Sequence, residues 1–209
     1  MNISRLLSVA PMMERTDRHC RYFFRLLSQQ TLLYSEMINA NAITKGNKTR
    51  LLNFSEIEHP LALQIGGSDP KLLAEATKIG VDWGYDEINL NVGCPSSRVS
   101  SGDFGAVLMK RKDHVAKCVD AMAQFSSNVP ISVKCRIAVD DQDPEKILPS
   151  FIKTVSNSGV SIFIIHARKA ILSGLSPKDN RKIPPIDYNL VKKIKAQFPQ
   201  LEICLNGEI

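Results

Sequence analysis

Apolar runs of strand length alternate along this chain with longer segments whose apolar positions recur at helical spacing. Strands are predicted at Leu7–Ala10, Thr31–Glu36, Leu61–Ile65, Glu87–Asn91, Ile131–Cys135, Ser161–His166 and Leu201–Leu205. Helices are predicted between them at Thr16–Leu27, Pro70–Trp83, Lys112–Gln124, Asp143–Ser158 and Tyr188–Gln197. Asp69 and Pro70 read as N-cap and first residue of the second helix, and Asp187 as the cap of the last. Strands that are apolar almost throughout, alternating with helices, imply a parallel sheet covered by helices. Seven strands exceed half of a doubly wound sheet and fall one short of an eight-stranded barrel. Residues 1–209 are therefore expected to form one α/β domain of TIM type. The chain stops at Asn206-Gly207-Glu208-Ile209, directly after the seventh strand, so the expectation is a barrel shortened at its C-terminus, lacking its final strand.

Composition narrows the class. Of 209 residues, 44% are apolar and 23% charged, which suits a globular domain with a real core. No apolar stretch is long enough to span a bilayer, and the N-terminal apolar part is too short for a signal peptide. Five cysteines, odd in number, widely spaced and without a Cys-x-x-Cys pair, indicate neither a metal site nor a disulfide framework. They suit a reducing cytoplasm. A net charge of +6 favours a polyanionic partner. The longest irregular stretch, 168–187, holds Gly174, Pro177, Pro184, Pro185 and five basic residues, and a loop of that length after a strand is more often functional than idle.

Polar residues gather at the C-terminal ends of the predicted strands, where barrels and open α/β sheets build their sites. They include Glu36, Gln64, Asn89 and Asn91, Lys134 and Arg136, His166 and Arg168, and Asn206, with Pro11 and Met12 at the end of the first strand and Gly207 after the last. Asp86–Ser96 is the most informative segment. Its alternating run breaks off in Gly93-Cys94-Pro95 and sets a thiol just past a strand end, with Gly93 permitting a tight turn and Pro95 stiffening the exit. Cys94 is a candidate catalytic group, although a free cysteine is commonly a small buried hydrophobe. Gln64 offers a donor and an acceptor to the imide edge of a flavin or pyrimidine, or is a satisfied buried amide. Lys134, inside an apolar strand, either stabilises negative charge on a ligand or forms an interior salt bridge with Glu36 or Glu87. His166 can donate to a ring carbonyl or phosphate, or merely cap its strand. Gly207 allows a close approach to a phosphate or cofactor chain. Gly66-Gly67-Ser68-Asp69-Pro70 reads as a phosphate cradle or, more simply, as a turn with an N-cap.

Taken together, these pieces resemble the tRNA-dihydrouridine synthases, and most closely the DusA subfamily, from Ser8 to Ile209. The motifs are Ser-Val-Ala-Pro-Met (8–12), Thr-Asp-Arg-His-Cys-Arg-Tyr-Phe (16–23), His-Pro-Leu-Ala-Leu-Gln-Ile-Gly-Gly-Ser-Asp-Pro (59–70) and the Asp86–Ser96 segment. Phe-Ile-Ile-His-Ala-Arg-Lys-Ala (163–170) and Leu-Ser-Gly-Leu-Ser-Pro-Lys-Asp-Asn-Arg (172–181) mark the subfamily. The resemblance implies an FMN-binding (β/α)₈ barrel followed by a small helical tRNA-binding domain. It implies a cytoplasmic enzyme, without membrane or obligate protein partner, that reduces the uracil C5–C6 bond of D-loop uridines of the 20/20a type with NADPH. It makes Cys94 the proton donor to C5, while flavin N5 delivers hydride to C6. It assigns Pro11, Met12, Met13, Gln64, Lys134, His166, Asn206, Gly207 and Glu208 to FMN. Asn91 is assigned to the substrate uridine, and Arg168, Lys178 and Arg181 to tRNA. A thiol that acts as an acid has to stay protonated until used, and the target uridine has to leave the tRNA fold.

Three departures stand out. Glu14 and Arg15 occupy the place of an acid and an aromatic, so the aromatic is missing. Glu208 replaces the second glycine of Asn-Gly-Gly, and a carboxylate near the FMN phosphate is expected to weaken binding by repulsion and crowding. The following Gly-Arg phosphate element and the helical domain are absent from this sequence. Two other functions compete. One is an FMN barrel acting on a free pyrimidine, as in dihydroorotate dehydrogenase, which has no use for the basic loop. The other is an inactive remnant.

Overall fold

The computed structural model describes residues 3–208; Met1, Asn2 and Ile209, part of the expected domain and of its terminal motif, lie outside them. Its strands are β1 (Ser8–Val9), β2 (Leu32–Tyr34), β3 (Ile38–Asn39), β4 (Leu61–Gly66), β5 (Glu87–Val92), β6 (Ile131–Arg136), β7 (Ile162–His166) and β8 (Glu202–Asn206). All pairings are parallel, in the order β1-β2-β4-β5-β6-β7-β8, with β3 alongside the end of β4.

One predicted strand divides. Tyr34 lies opposite Ala62 and Ile38 opposite Ile65, so the chain uses one more residue than its partner between these pairs. At the break the Ser35 hydroxyl accepts from the backbone N–H of Gln64 at 3.0 Å, replacing a ladder carbonyl. Thus β2 and β3 are two halves of one strand position. The sheet has seven positions, as the sequence pattern implies.

The helices are α1 (Arg18–Leu27), α2 (Ala40–Lys45), α3 (Lys48–Leu52), α4 (Pro70–Trp83), α5 (Ser97–Ser101), α6 (Lys112–Ala123), α7 (Pro144–Ser156) and α8 (Tyr188–Gln197). The predicted helices all form, α4 and α8 with the expected bounds. Asp69 caps α4 by accepting from Lys71 and Leu72, and Asp187 caps α8 by accepting from Leu190. The stretch Gly66–Pro70 is therefore a turn with an N-cap. The short α2, α3 and α5 escape the pattern because about one turn is too little for a helical period to register.

The core lies between the helices and the outer face of the sheet, where Leu63, Ile88, Val133 and Ile165 join Leu73, Val115, Phe151 and Leu190 in one buried cluster. The inner face of β4 to β6 is instead polar, with Gln64, Glu87, Asn89, Asn91 and Ser132 buried on it. The Arg5 guanidinium contacts both Glu87 on β5 and Glu202 on β8. A single side chain can touch strands so far apart in the sheet order only if the sheet curls. The architecture is a TIM-type (β/α) barrel with seven of its eight strand positions. No helix of the described residues is long and apolar enough to cross a membrane.

Candidate active site

Parallel register brings the strand tips side by side. Gln64 faces Asn89, Asn91 faces Lys134, Arg136 faces His166, and His166 faces Asn206. Lys134 Nζ donates to Asn206 Oδ1 at 3.0 Å, reaching past β7. Among the described residues no carboxylate pairs with it. Glu87 is held by Arg5, and Glu36 accepts from the backbone N–H of Glu14. The interior salt bridge is not formed. Burial, and then the neighbouring Arg136, push the Lys134 ammonium down to about 8.

His166 is buried, and that burial, followed by the charges of Arg136, Lys134, Arg168 and Arg181, brings its pKa down to about 2. The imidazole is therefore neutral at any working pH. Among the described residues its Nε2, like Nε of Arg168, is buried without a hydrogen-bond partner. Gly207 has φ 118°, and a Cβ there would stand 2.9 Å from Cδ2 of His166. The close approach this glycine permits in the structure is to the histidine ring.

Cys94 is half-buried on a turn above this arc, whereas Cys118 and Cys135 are buried. The turn is made by Asn91, whose Oδ1 accepts from the backbone N–H groups of Gly93 at 3.2 Å and Cys94 at 3.0 Å. The Cys94 carbonyl accepts from Ala106 at 2.9 Å. Gly93 is not in the left-handed region, and a Cβ there would make an ordinary 3.4 Å contact with the Lys134 carbonyl. Glycine freedom, expected to matter here, does not make the turn. The thiol lies 3.7 Å from Oγ of Ser96, which also accepts from Val99 and caps α5. Asn91 Nδ2 donates to Oε1 of Gln64 at 2.8 Å, and Gln64 Nε2 donates to Asn89 at 2.7 Å, so the buried Gln64 amide is engaged at both ends.

A cavity of about 580 Å³ runs between β1 and β8, from Arg5 and Tyr34 at the floor to Pro11, Lys134, Asn206 and Glu208 at the mouth. Met12 and Met13 are exposed beside it, on a turn closed by Thr16 Oγ1, which accepts from the Met12 N–H at 3.0 Å.

The basic loop is less uniform than its sequence suggests. Lys178 and Arg181 are exposed, but Arg168 is turned inward, donating to the Pro184 carbonyl and pairing with Glu208 at 2.6 Å. Its side chain is not on the surface where an RNA-facing arginine was expected. Asn180, fully buried, braces the loop by accepting from the N–H of Ile171 at 2.8 Å and donating to the Ile171 carbonyl at 2.9 Å. Arg136 Nη1 donates to the Asn180 carbonyl at 2.9 Å while its Nε donates to the Gly93 carbonyl at 3.2 Å. Arg136 thus ties the cysteine turn to the basic loop. Its place on the same strand face as Lys134, two residues on, was the available signal.

The family model of dihydrouridine synthase (Dus) matches residues 8–209. The chain belongs to this family. A tRNA-dihydrouridine(20/20a) synthase of Synechocystis sp. is 59% identical over 97% of this chain and 60% of its own length. The enzyme of that name from Escherichia coli K12 is 58% identical over 97% of the chain and 58% of its own length. The Xanthomonas campestris enzyme is 53% identical, again over 97% of the chain and 60% of itself. The chain thus spans about 60% of these dihydrouridine synthases. Solved structures of low identity share the fold. Morphinone reductase in complex with tetrahydroNAD superposes with a TM-score of 0.64 at 9% identity, over 97% of this chain and 76% of that one. An old yellow enzyme homologue from Zymomonas mobilis gives 0.59 at 11% identity, over 95% and 83%.

Proposed function

We propose that residues 1–209 are the flavin-binding catalytic part of a cytoplasmic tRNA-dihydrouridine synthase of the 20/20a type, using FMN, NADPH and tRNA. One observation carries the reading: in a dihydrouridine synthase family member, Cys94 stands half-buried above an arc of Asn91, Lys134, His166 and Asn206. The names of its relatives support the substrate class.

The open chemistry of the arc fits FMN. Among the described residues, His166 Nε2 and Arg168 Nε are buried and have no hydrogen-bond partner, and Lys134 has an amide oxygen but no counter-charge. A group rich in acceptors and carrying negative charge matches all three. Bound FMN, reduced by NADPH, supplies the hydride for C6 of the uracil ring.

The chain's own residues hold the ligands and move one proton. Lys134 keeps a positive charge near neutral pH and favours negative charge over the barrel mouth. Neutral His166 adds a hydrogen bond without adding charge. Pro11, Met12, Met13, Gln64, Asn206, Gly207 and Glu208 would help hold the flavin. Cys94 Sγ holds the proton destined for C5, beside the neutral hydroxyl of Ser96. Asn91 fixes that turn and meets the uridine. Exposed Lys178 and Arg181, on a loop bound through Arg136 to the cysteine turn, grip tRNA phosphates, with Arg168 behind them.

The test is incubation with FMN, NADPH and unmodified tRNA, with dihydrouridine read by mass spectrometry, and with free uracil and orotate in parallel. NADPH oxidation coupled to dihydrouridine is expected with tRNA alone. Turnover of a free pyrimidine with none on tRNA would overturn the reading.

A further inference from the structure

The hydrogen bonds that hold the Cys94 turn continue beyond Gln64 to the barrel floor. Asn89 accepts from Gln64 and donates through Nδ2 to Ser132 Oγ at 2.7 Å, and Ser132 donates in turn to Oε1 of Glu87. Glu87 also accepts from Tyr34 at 2.9 Å and from Arg5, at 2.5 Å from Nη2 and 2.9 Å from Nε. It is fully buried, as are Asn89 and Ser132.

Every link in this chain donates toward the floor. An ionised carboxylate only accepts, so Ser132 has to spend its one proton on Glu87 and offer its oxygen to Asn89. Asn89 then has to turn its carbonyl toward Gln64, Gln64 its carbonyl toward Asn91, and Asn91 its carbonyl toward the backbone. That last orientation is the one that receives the two N–H groups of Gly93 and Cys94. Side-chain amides do not pass protons along readily, so the chain transmits orientation. Burial, then the Glu87 charge, push the Tyr34 hydroxyl up, which keeps it a donor at the same carboxylate.

The geometry points to Glu87, anchored by Arg5, as a positioning residue for the reaction: a buried floor carboxylate that fixes the amide orientation of Asn91 and so the seat of the Cys94 thiol. The inference rests on the reading of Cys94 as the proton donor, but its geometric content does not need flavin or RNA.

The experiment is amide hydrogen exchange, with site-resolved alkylation of Cys94, on the full chain and three variants. Glu87→Gln replaces an obligate acceptor by an amide that can also donate, and removes the floor constraint on the direction of the chain, leaving only the Gly93 and Cys94 N–H groups to set it. Ser132→Ala cuts the chain while leaving Arg5, Tyr34 and Glu87 together, and serves if Glu87→Gln does not fold. Glu58→Gln is the control: Glu58 is the carboxylate of another buried ion pair, 2.6 Å from Arg21, with no link to Asn91. Exchange at Gly93 and Cys94 is expected to accelerate about tenfold or more in the first two variants, and the Cys94 alkylation rate to change with it. Exchange in β7 should stay within about twofold. Glu58→Gln should lower urea resistance yet leave Gly93 and Cys94 unchanged. Equal acceleration throughout β7, or the same response from Glu58→Gln, would overturn the proposal. Failure of the tRNA assay alone would overturn only the functional reading.

Discussion

The Arg168 guanidinium meets the Glu208 carboxylate at 2.6 Å, joining the loop after β7 to the turn after β8. Arg168 is buried, while the Glu208 side chain is 56% exposed and its backbone sits at φ 53°, a conformation easier for glycine. The repulsion expected between this carboxylate and a phosphate is thus offset by a charge already in place. Glu208→Gln should change FMN affinity by less than about threefold, whereas Arg168→Gln, which leaves the carboxylate uncompensated, should weaken it by about tenfold. The double variant should recover only the part of that loss that comes from the uncompensated carboxylate, the Arg168 donor being absent in both. Flavin fluorescence titration of the four proteins reads the coupling, and simply additive effects would show that there is none.

Lys134 gives a pH signature. Its pKa falls from 10.5 to about 8 in the folded protein, chiefly through burial. Between those values the unfolded chain binds the extra proton, so this group makes stability rise with pH across the window. Below about pH 8 both states are protonated and the full cost is present. Lys134→Met should therefore be more stable than the parent at neutral pH, by about 1–3 kcal/mol, with the gap closing toward pH 10.5. Urea unfolding across that range measures it; a gap independent of pH would remove the basis for the shift. FMN binding by the parent should weaken as pH passes about 8.

The sequence was most legible where structure is set locally. Apolar runs gave the strands, Asp69 with Pro70 and Asp187 gave helix starts, and the strand-end polar tips gave the arc of Asn91, Lys134, His166 and Asn206. What stayed hidden depends on partners remote along the chain. The break between β2 and β3 rests on Ser35 accepting from Gln64. The floor pair joins Arg5 to Glu87, 82 positions away. Arg168 read as one more basic loop residue because nothing near it in sequence announces Glu208. Asn180 is one polar residue in a polar loop, and only the folded chain turns it inward.

The Cys94 turn separates chemistry from folding. Cys94→Ala should leave flavin reduction by NADPH intact and abolish dihydrouridine formation, because the proton for C5 has no other donor assigned. Stopped-flow flavin reduction and product analysis read the two steps, and tRNA modification at the parent rate would end the acid role. Ser96→Ala also removes the acceptor from Val99 at the start of α5 and should lower stability by about 0.5–2 kcal/mol. Its effect on product formation should be partial, since Asn91 still holds the turn.

The basic loop should divide its residues between gripping RNA and bracing the fold. Lys178 and Arg181 are exposed, so Lys178→Ala and Arg181→Ala should leave thermal stability and FMN binding unchanged while weakening tRNA. Each lost phosphate contact should reduce the slope of log affinity against log salt by roughly 0.7–0.9. Asn180→Ala works differently, because it strips both backbone groups of Ile171 of their side-chain partner inside a buried site. It should cost about 1–3 kcal/mol of stability. Because the Asn180 carbonyl receives Arg136, which also holds the Gly93 carbonyl, the variant should lower catalytic rate as well as tRNA affinity. Filter-binding isotherms at several salt concentrations, paired with melting curves, distinguish the two classes. A change of salt slope in Asn180→Ala without loss of stability would place that side chain on the RNA instead.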